Sequence, residues 1–487
     1  MKLSHRIYRT DFVKSFLYVL ILLGVFACTE KTSETEKAQK TNVLFINIDD
    51  LGWKDLGYMG NDYHETPNID KLASEGMIFT NGYAGAANCA PSRACLMSGQ
   101  TTSRHKIFTV GNSDRGNPKT RRIIPTPNNT ILPDSTITLA EMFKLAGYKT
   151  ATMGKWHLGE DAKTQGFDVN VAGSHNGSPG KGGYFSPYKL KYLEEGPDGE
   201  HLADRLTAEA INFLKQNKDS TFFLYLPYYS VHTPLMAKEK LKEKYRLKKG
   251  KDLEKNETYA AMVETVDTNI GVLLKSLDEL GLSKNTMVVF TSDNGGIRAV
   301  SRQEPLRAGK GSYYEGGIRV PYIVRWPGVV EPGAKNGTPI VNMDFFPTFM
   351  EIAGVQLPNK VLDGKNLVPL LKGGELDSRP LMFHFPIYLQ AYSRKLDRGR
   401  DSLFRTRPGS IIIDGDWKLH QYFEDGGLEL YNLKEDLGER NNLAQANAAK
   451  AEELLKTLDV WRTKVNAPIP TKVNPEFDPS FVAKGKG

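Results

Sequence analysis

Cysteine is almost missing from this chain: its 487 residues hold three, at positions 28, 89 and 95. So few thiols exclude a disulfide-stapled scaffold. Long apolar runs are missing as well. The stretch FLYVLILLGVFA (Phe16–Ala27) holds twelve residues, fewer than the roughly 20 that a bilayer-spanning helix needs. The formal charge is only +7, with no clustered basic face and no recognition module, so no nucleic-acid partner is expected. Internal repeats are absent, and low complexity is confined to one short polar segment near the start. Core material is plentiful: 40% of the residues are hydrophobic. That suffices for two or three domain-sized units, or for one large domain with an appendage.

The short apolar stretch has the layout of an export leader, with Lys2, Arg6, Arg9 and Lys14 before or around its start and Cys28 directly after Ala27. Its end, VFAC, resembles the lipobox of a bacterial lipoprotein, whose cysteine is lipidated and becomes the mature N-terminus. An ordinary secretory signal cleaved nearby is the alternative, and both export the protein. The expectation is a chain held at the membrane by a lipid on Cys28, in the bacterial periplasm or on the outer-membrane surface. Removing residues 1–28 lowers the formal charge from +7 to +4. The following TEKTSETEKAQK is polar, charged and free of aromatics, which predicts a flexible tether over residues 29–41.

From Asn42 the pattern alternates. NVLFINIDD is a buried-strand run that stops at two carboxylates, and STITLAEMFKLAGY predicts an amphipathic helix closed by Gly147. KTATMGKWH, TFFLYLPYYSVH and TMVVFTSDNGG are further strands with polar exits, and apolar residues from Tyr259 to Leu277 keep helical spacing. Strands alternating with helices predict an α/β sheet covered on both faces, with ligands beyond the carboxyl ends of the strands. Those ends carry Asp49 and Asp50, Lys155 and His157, His232, and Asp293 and Asn294. After Leu376 the character changes to a basic loop, the strand runs SIIIDGDWKLHQY and LELYNL, and a helix near 446–465. The expected organisation is a catalytic domain over 42–375 and a smaller C-terminal α+β subdomain over 376–487.

Asp49, Asp50, Asp293 and Asn294 are hard oxygen donors suited to Ca²⁺ or Mg²⁺ rather than zinc. Taken singly, DDLG and SDNGG also read as turns whose polar side chains cap nearby backbone. Pro91 suits the first turn of a helix, which places residue 89 at a helix N-terminus, where backbone N–H groups favour an anion.

CAPSRACLMSG, from Cys89 to Gly99, resembles the signature of the type I sulfatases. DDLGWKDLG, GKWHLG, SVHTP, SDNGG and GKGSYYEGGIRVP resemble the family's other active-site blocks, in the family's order. The resemblance implies an alkaline-phosphatase-like mixed sheet flanked by helices, and a sulfuric ester hydrolase acting on sulfated carbohydrates. It implies that a maturation enzyme oxidises Cys89 to formylglycine, whose hydrate attacks sulfur with help from Ca²⁺ bound by Asp49, Asp50, Asp293, Asn294 and residue 89. It also gives Arg93 the nucleophile to hold, Lys155 a bridge to sulfate, His157 the elimination base, and His232 and Lys310 the leaving-oxygen side. Related phosphodiester or phosphonate monoester hydrolases share such a nucleophile, and a carbohydrate-binding protein without turnover is the alternative from another class.

Specificity is written less plainly. Arg394, Lys395, Arg398, Arg400, Arg405 and Arg407 crowd one loop and either line subsites for a polyanionic chain or form a solvated face. His105 and His175 are further substrate-binding candidates. Cys95 is expected to be an inert buried thiol, with a disulfide to Cys89 as the alternative, and Trp417 and His420 are expected to pack in the C-terminal sheet.

Overall fold

Every side chain of the strand Asn42–Ile48 is buried, and successive residues serve opposite faces of the sheet. Val43 and Phe45 join Phe143, Phe345 and Phe349 on one side, with the Phe45 ring edge-on to Phe345 at 5.5 Å. Leu44, Ile46 and Ile48 join Met262, Val266 and Ile270 of the helix Glu257–Glu279 on the other. A strand covered on both faces has no polar side to show, which is why it reads as an unbroken apolar run. The computed structural model describes residues 40–248 and 256–482; the leader, Cys28 and nearly all of the tether lie outside the described residues.

The large sheet has eight strands, ordered Val169–Val171, Lys149–Met153, Phe222–Pro227, Asn42–Ile48, Thr286–Ser292, Tyr322–Arg325, Met77–Phe79 and Lys335–Asn336. The first five run parallel, and Tyr322–Arg325 is antiparallel to both of its neighbours. The sheet is therefore mixed. The expected helix after Ser135 forms over Leu139–Leu145, started by a capping box between Thr138 and Glu141.

A second sheet of four antiparallel strands, Leu381–Phe385, Gly409–Asp414, Trp417–Tyr422 and Leu428–Asn432, follows. The helix Ala448–Val465 covers one face through Leu454 and Leu458, which pack with Leu419 and Leu430. Its other face meets the catalytic part: Tyr313 stacks on Phe385 at 4.0 Å between ring centroids. Beside this seam, buried Lys418 bridges Glu315 and Glu439, at 2.9 Å from each. The described residues from Lys40 onward form one compact unit. Among the described residues no helix is long and apolar enough to cross a membrane.

Candidate active site

Four of the parallel strands, Lys149–Met153, Phe222–Pro227, Asn42–Ile48 and Thr286–Ser292, are immediate neighbours in the sheet. Their carboxyl ends therefore deliver Lys155 and His157, His232, Asp49 and Asp50, and Asp293 and Asn294 to one edge, where α/β sheets bind ligands. Each exit is fastened by backbone: the Asp49 N–H donates to Ser230, the Lys155 N–H to Pro227 and the His157 N–H to Ser174. Gly154 is required for this approach, because a Cβ there would lie 2.0 Å from the Pro227 carbonyl oxygen. Asp50 and His157 both adopt left-handed backbone, at φ 63° and 62°. Non-glycine residues pay roughly 1–3 kcal/mol each for such conformations, which recur at functional sites.

The charges interlock. Lys155 Nζ lies 2.5 Å from Asp49 Oδ2, Lys310 Nζ lies 2.7 Å from Asp50 Oδ1, and Arg93 reaches Asp293 Oδ2 through Nη2 at 2.7 Å and Nε at 2.9 Å. Arg93 also donates to the Lys155 carbonyl at 2.5 Å, and Asn294 Nδ2 to Asp50 Oδ1 at 2.8 Å. All of these groups are buried. Three acidic side chains face three basic ones, so most of the buried charge is offset within the pocket. Burial pushes the Asp49 carboxyl up to about 8; Lys155 opposes this, and Asp293 and Asp50 add to it. Asp50 goes the other way: burial would raise it, but Lys310 and Lys155 outweigh burial and hold it below the usual carboxylate range.

Cys89 opens the helix Cys89–Ser98, all ten residues of which are buried. Its N-cap, Asn88, makes no side-chain cap, leaving first-turn N–H groups for another acceptor. The helix is held by Asn342, whose Nδ2 donates to the Ser92 carbonyl and hydroxyl at 2.8 and 3.0 Å. Burial raises the Cys89 thiol, against the pull of Lys155 and Lys310, so the native side chain is a protonated thiol and a weak nucleophile. Cys95 is likewise buried and free, and the two cysteines form no disulfide.

Both pocket histidines are neutral. Burial lowers His157 well below the ordinary histidine value, and Lys155, Arg93, His175 and Lys310 add to it. Burial and then Lys310 push His232 down to about 3. His232 Nδ1 lies 2.6 Å from the Thr233 carbonyl, which accepts and never donates, so Nδ1 carries the proton. Nε2 is then the lone-pair nitrogen, 3.7 Å from Asp50 Oδ2.

The donors fit a hard divalent cation. One ligand atom each from Asp49, Cys89 and Asp293 lies within 4.8 Å of the others. Asp49 Oδ1 and Asn294 Oδ1 are buried oxygens with no hydrogen-bond donor, a costly state that a cation relieves. Asp50 stands beside this group, its N–H directed to Asp293 Oδ1 at 3.3 Å.

The remaining sequence candidates divide. His175 does reach the pocket, its ring edge-on to His157 at 6.0 Å. His105 does not: its Nε2 faces Cys95 Sγ at 3.4 Å and its Nδ1 accepts the Ile107 N–H, so both ring nitrogens are spent inside the fold. Arg400 is likewise withdrawn from a substrate role, because its guanidinium is bound to Asp425 at 2.8 Å and stacked on Tyr422. Arg398 lies 3.9 Å from Glu304, and Arg394 lines a cavity beside Tyr392. Arg407 pairs with Glu424 and Asp401. The loop is thus mostly paired charge rather than a basic face.

Sequence reasoning missed one role and one position. Arg405 is buried and donates to the Lys310 carbonyl at 2.9 Å, a role hidden among five other basic residues. At Gly177 a Cβ would fall 2.5 Å from His157 Cε1; a glycine in a loop rich in glycine carries no such signal.

Comparison with known proteins agrees with this geometry. The family model described as Sulfatase matches residues 41–355, and one described as N-sulphoglucosamine sulphohydrolase, C-terminal, matches residues 309–464. A protein named sulfatase from Formosa agariphila is 34% identical, with 94% of each chain covered. N-acetylgalactosamine-6-sulfatase of Mus musculus is 32% identical over 94% of this chain and 91% of its own. A crystal structure of Ps i-CgsB in complex with k-i-k-neocarrahexaose superposes with a TM-score of 0.70 at 30% identity, covering 87% of this chain and 93% of that one. With the ordered blocks gathered at one sheet edge and the match running along nearly the whole chain, the protein belongs to the sulfatase family and is a sulfuric ester hydrolase.

Proposed function

We propose that the protein removes sulfate from a sulfated carbohydrate, with formylglycine derived from Cys89 as nucleophile and Ca²⁺ held by Asp49, Asp50, Asp293 and Asn294. The observation that carries this reading is the placement of residue 89 at the head of a buried helix, inside a ring of three acidic and three basic side chains. A hydrated formyl group supplies one hydroxyl to attack sulfur and a second to expel sulfate, and a divalent cation supplies the charge that stabilises the attacking oxygen.

The chain's own residues do the rest. Arg93 is clamped by Asp293 and the Lys155 carbonyl, so its guanidinium is oriented before substrate arrives. His157, neutral and carrying a lone pair, takes the proton whose loss releases sulfate. Lys310 is kept protonated: burial opposes its charge, but Asp50 outweighs it. It is the donor for the departing alcohol, whereas neutral His232 offers Nε2 as an acceptor. A divalent cation and the singly charged anion of a sulfate ester are opposite in sign, so each favours binding of the other in this pocket.

Because Cys89–Ser98 is buried throughout, a maturation enzyme on this reading acts before the fold closes around that segment. Export and anchoring through Cys28 belong to the same proposal, supported by the basic and apolar leader. Peptide mass spectrometry should find residue 89 as formylglycine in active protein, and Cys89→Ala should abolish turnover with the fold intact. An unmodified thiol in fully active protein would sink the mechanism. Greater turnover of aryl phosphate diesters than of aryl sulfates would favour the phosphodiesterase reading.

A further inference from the structure

Beyond Lys310 the pocket continues toward a surface that the chemistry above leaves unused. The segment 113–115 lies along the chain at Tyr388, the Tyr388 N–H donating to the Ser113 carbonyl at 2.7 Å and the Arg115 N–H to the Tyr388 carbonyl at 3.3 Å. This brings Arg115 beside Arg405 and Tyr392 and within electrostatic reach of Cys89. Its guanidinium is half-buried, yet no acceptor or carboxylate pairs with it among the described residues. Nearby arginines are satisfied: Arg121 by Asp114 and the Gly116 carbonyl, Arg400 by Asp425, Arg407 by Glu424. Burial lowers the Arg115 pKa, and the like charge of Arg405 adds to this. An incoming anion would reverse both effects.

Tyr392 supplies the second half. It is 56% exposed, an unusual state for a ring that is otherwise well fixed. Arg405 stacks under one face with its guanidinium carbon 3.4 Å from the ring centroid, and its Nε and Nη1 hold the carbonyls of Gln390 and Lys310, each at 2.9 Å. Asp397 accepts the Tyr392 N–H at 2.5 Å. The ring is thereby locked in position relative to catalytic Lys310. Past it opens a cavity of about 450 Å³, lined by Tyr392, Gly116, Asn117, Arg394 and Phe404 among others, within the range of small-molecule sites.

We propose that Tyr392 and Arg115 form a second subsite beside the sulfate pocket, which takes the neighbouring sugar ring of the chain and an anionic group on it. This rests on the carbohydrate reading above. The C–H face of a pyranose packs on the open face of Tyr392, and Arg115 binds a sulfate or carboxylate of that ring by charge-assisted hydrogen bonds. The substrate is then an oligosaccharide carrying more than one anionic group rather than a lone sulfated monosaccharide.

The test uses matured protein and five substrates: an aryl sulfate, a sulfated monosaccharide, a sulfated oligosaccharide without a second anionic group, and the same oligosaccharide with a second sulfate or with a carboxylate. Arg115→Gln should lower the ratio of kcat/KM on the doubly anionic oligosaccharide to that on the aryl sulfate by about tenfold or more, mainly through KM, with partial recovery in Arg115→Lys. Tyr392→Ala should lower the ratio for both oligosaccharides, and Tyr392→Phe should restore it. Unchanged ratios in both variants, or an equal loss for Arg115→Gln with and without the second anion, would overturn the subsite. Wild-type protein that cleaves aryl sulfate but no sulfated saccharide would overturn the carbohydrate reading itself, a separate result.

Discussion

Replacing Lys418 by methionine is expected to cost about 3–5 kcal/mol of stability, the usual cost of stripping one partner from a buried ion pair. Lys418 is fully buried and lies 2.9 Å from both Glu315 and Glu439. The two glutamates do not suffer equally. Glu315 keeps Arg319 at 3.0 Å and the Tyr83 hydroxyl at 3.1 Å. Glu439 keeps the Glu315 N–H at 2.6 Å, a neutral His420 at 3.3 Å and the more distant charge of Arg307, so the less compensated charge is Glu439's. Burial already raises this carboxyl in the native protein, with Lys418 opposing it; without Lys418 it rises further.

A carboxyl that stays protonated in the fold, but ionises in the unfolded chain above the ordinary value of about 4.3, makes stability fall as pH rises through the window between the two values. The slope in that window approaches 1.4 kcal/mol per pH unit. Urea unfolding of wild type, Lys418→Met and Lys418→Met/Glu439→Gln at pH 5 and pH 7.5 reads both effects. The single variant should be weaker at the higher pH, and the double variant should recover much of the loss. A deficit below about 1 kcal/mol, or one equal at both pH values, would refute the assignment of the less compensated charge to Glu439.

Gly177→Ala should drop kcat by about 10²-fold through displacement of the His157 ring, with an unchanged melting temperature; steady-state kinetics beside thermal unfolding separate the two. Chelation should abolish turnover and lower the melting temperature. Ca²⁺ at 100 times its Kd should return about 2.7 kcal/mol, read by calorimetry with and without the ion. Cys28→Ser should move the protein from the membrane fraction to the soluble fraction, and retention in the membrane fraction would count against a lipid anchor.

The catalytic half was legible because its physics is local. A strand buried on both faces must be apolar, and it must become polar where it leaves the sheet, so NVLFINIDD and TMVVFTSDNGG announce both strand and site in nine to eleven residues. The helix at residue 89 was legible for a similar reason, with Pro91 two positions into its first turn. The arginines of the 394–407 loop were not legible. Whether each is solvated, paired or braced depends on partners 17, 25 or 95 positions away, such as Glu424, Asp425 and Lys310, and no pattern within the loop encodes them. His105 was not legible for the same reason: nearness to the signature in sequence places it against Cys95, where both ring nitrogens are engaged inside the fold.

Arg405 grips the Lys310 carbonyl while bearing the Tyr392 ring, so on the subsite proposed above one guanidinium would tie recognition to chemistry. On the proposed function, a loop grafted here from a relative with a different substrate preference would also reset the position of Lys310, 95 residues upstream. Redesign of this enzyme should therefore treat 390–405 and 309–311 as one unit to be exchanged together. Drift in substrate preference among such proteins should leave its mark on turnover number as well as on binding.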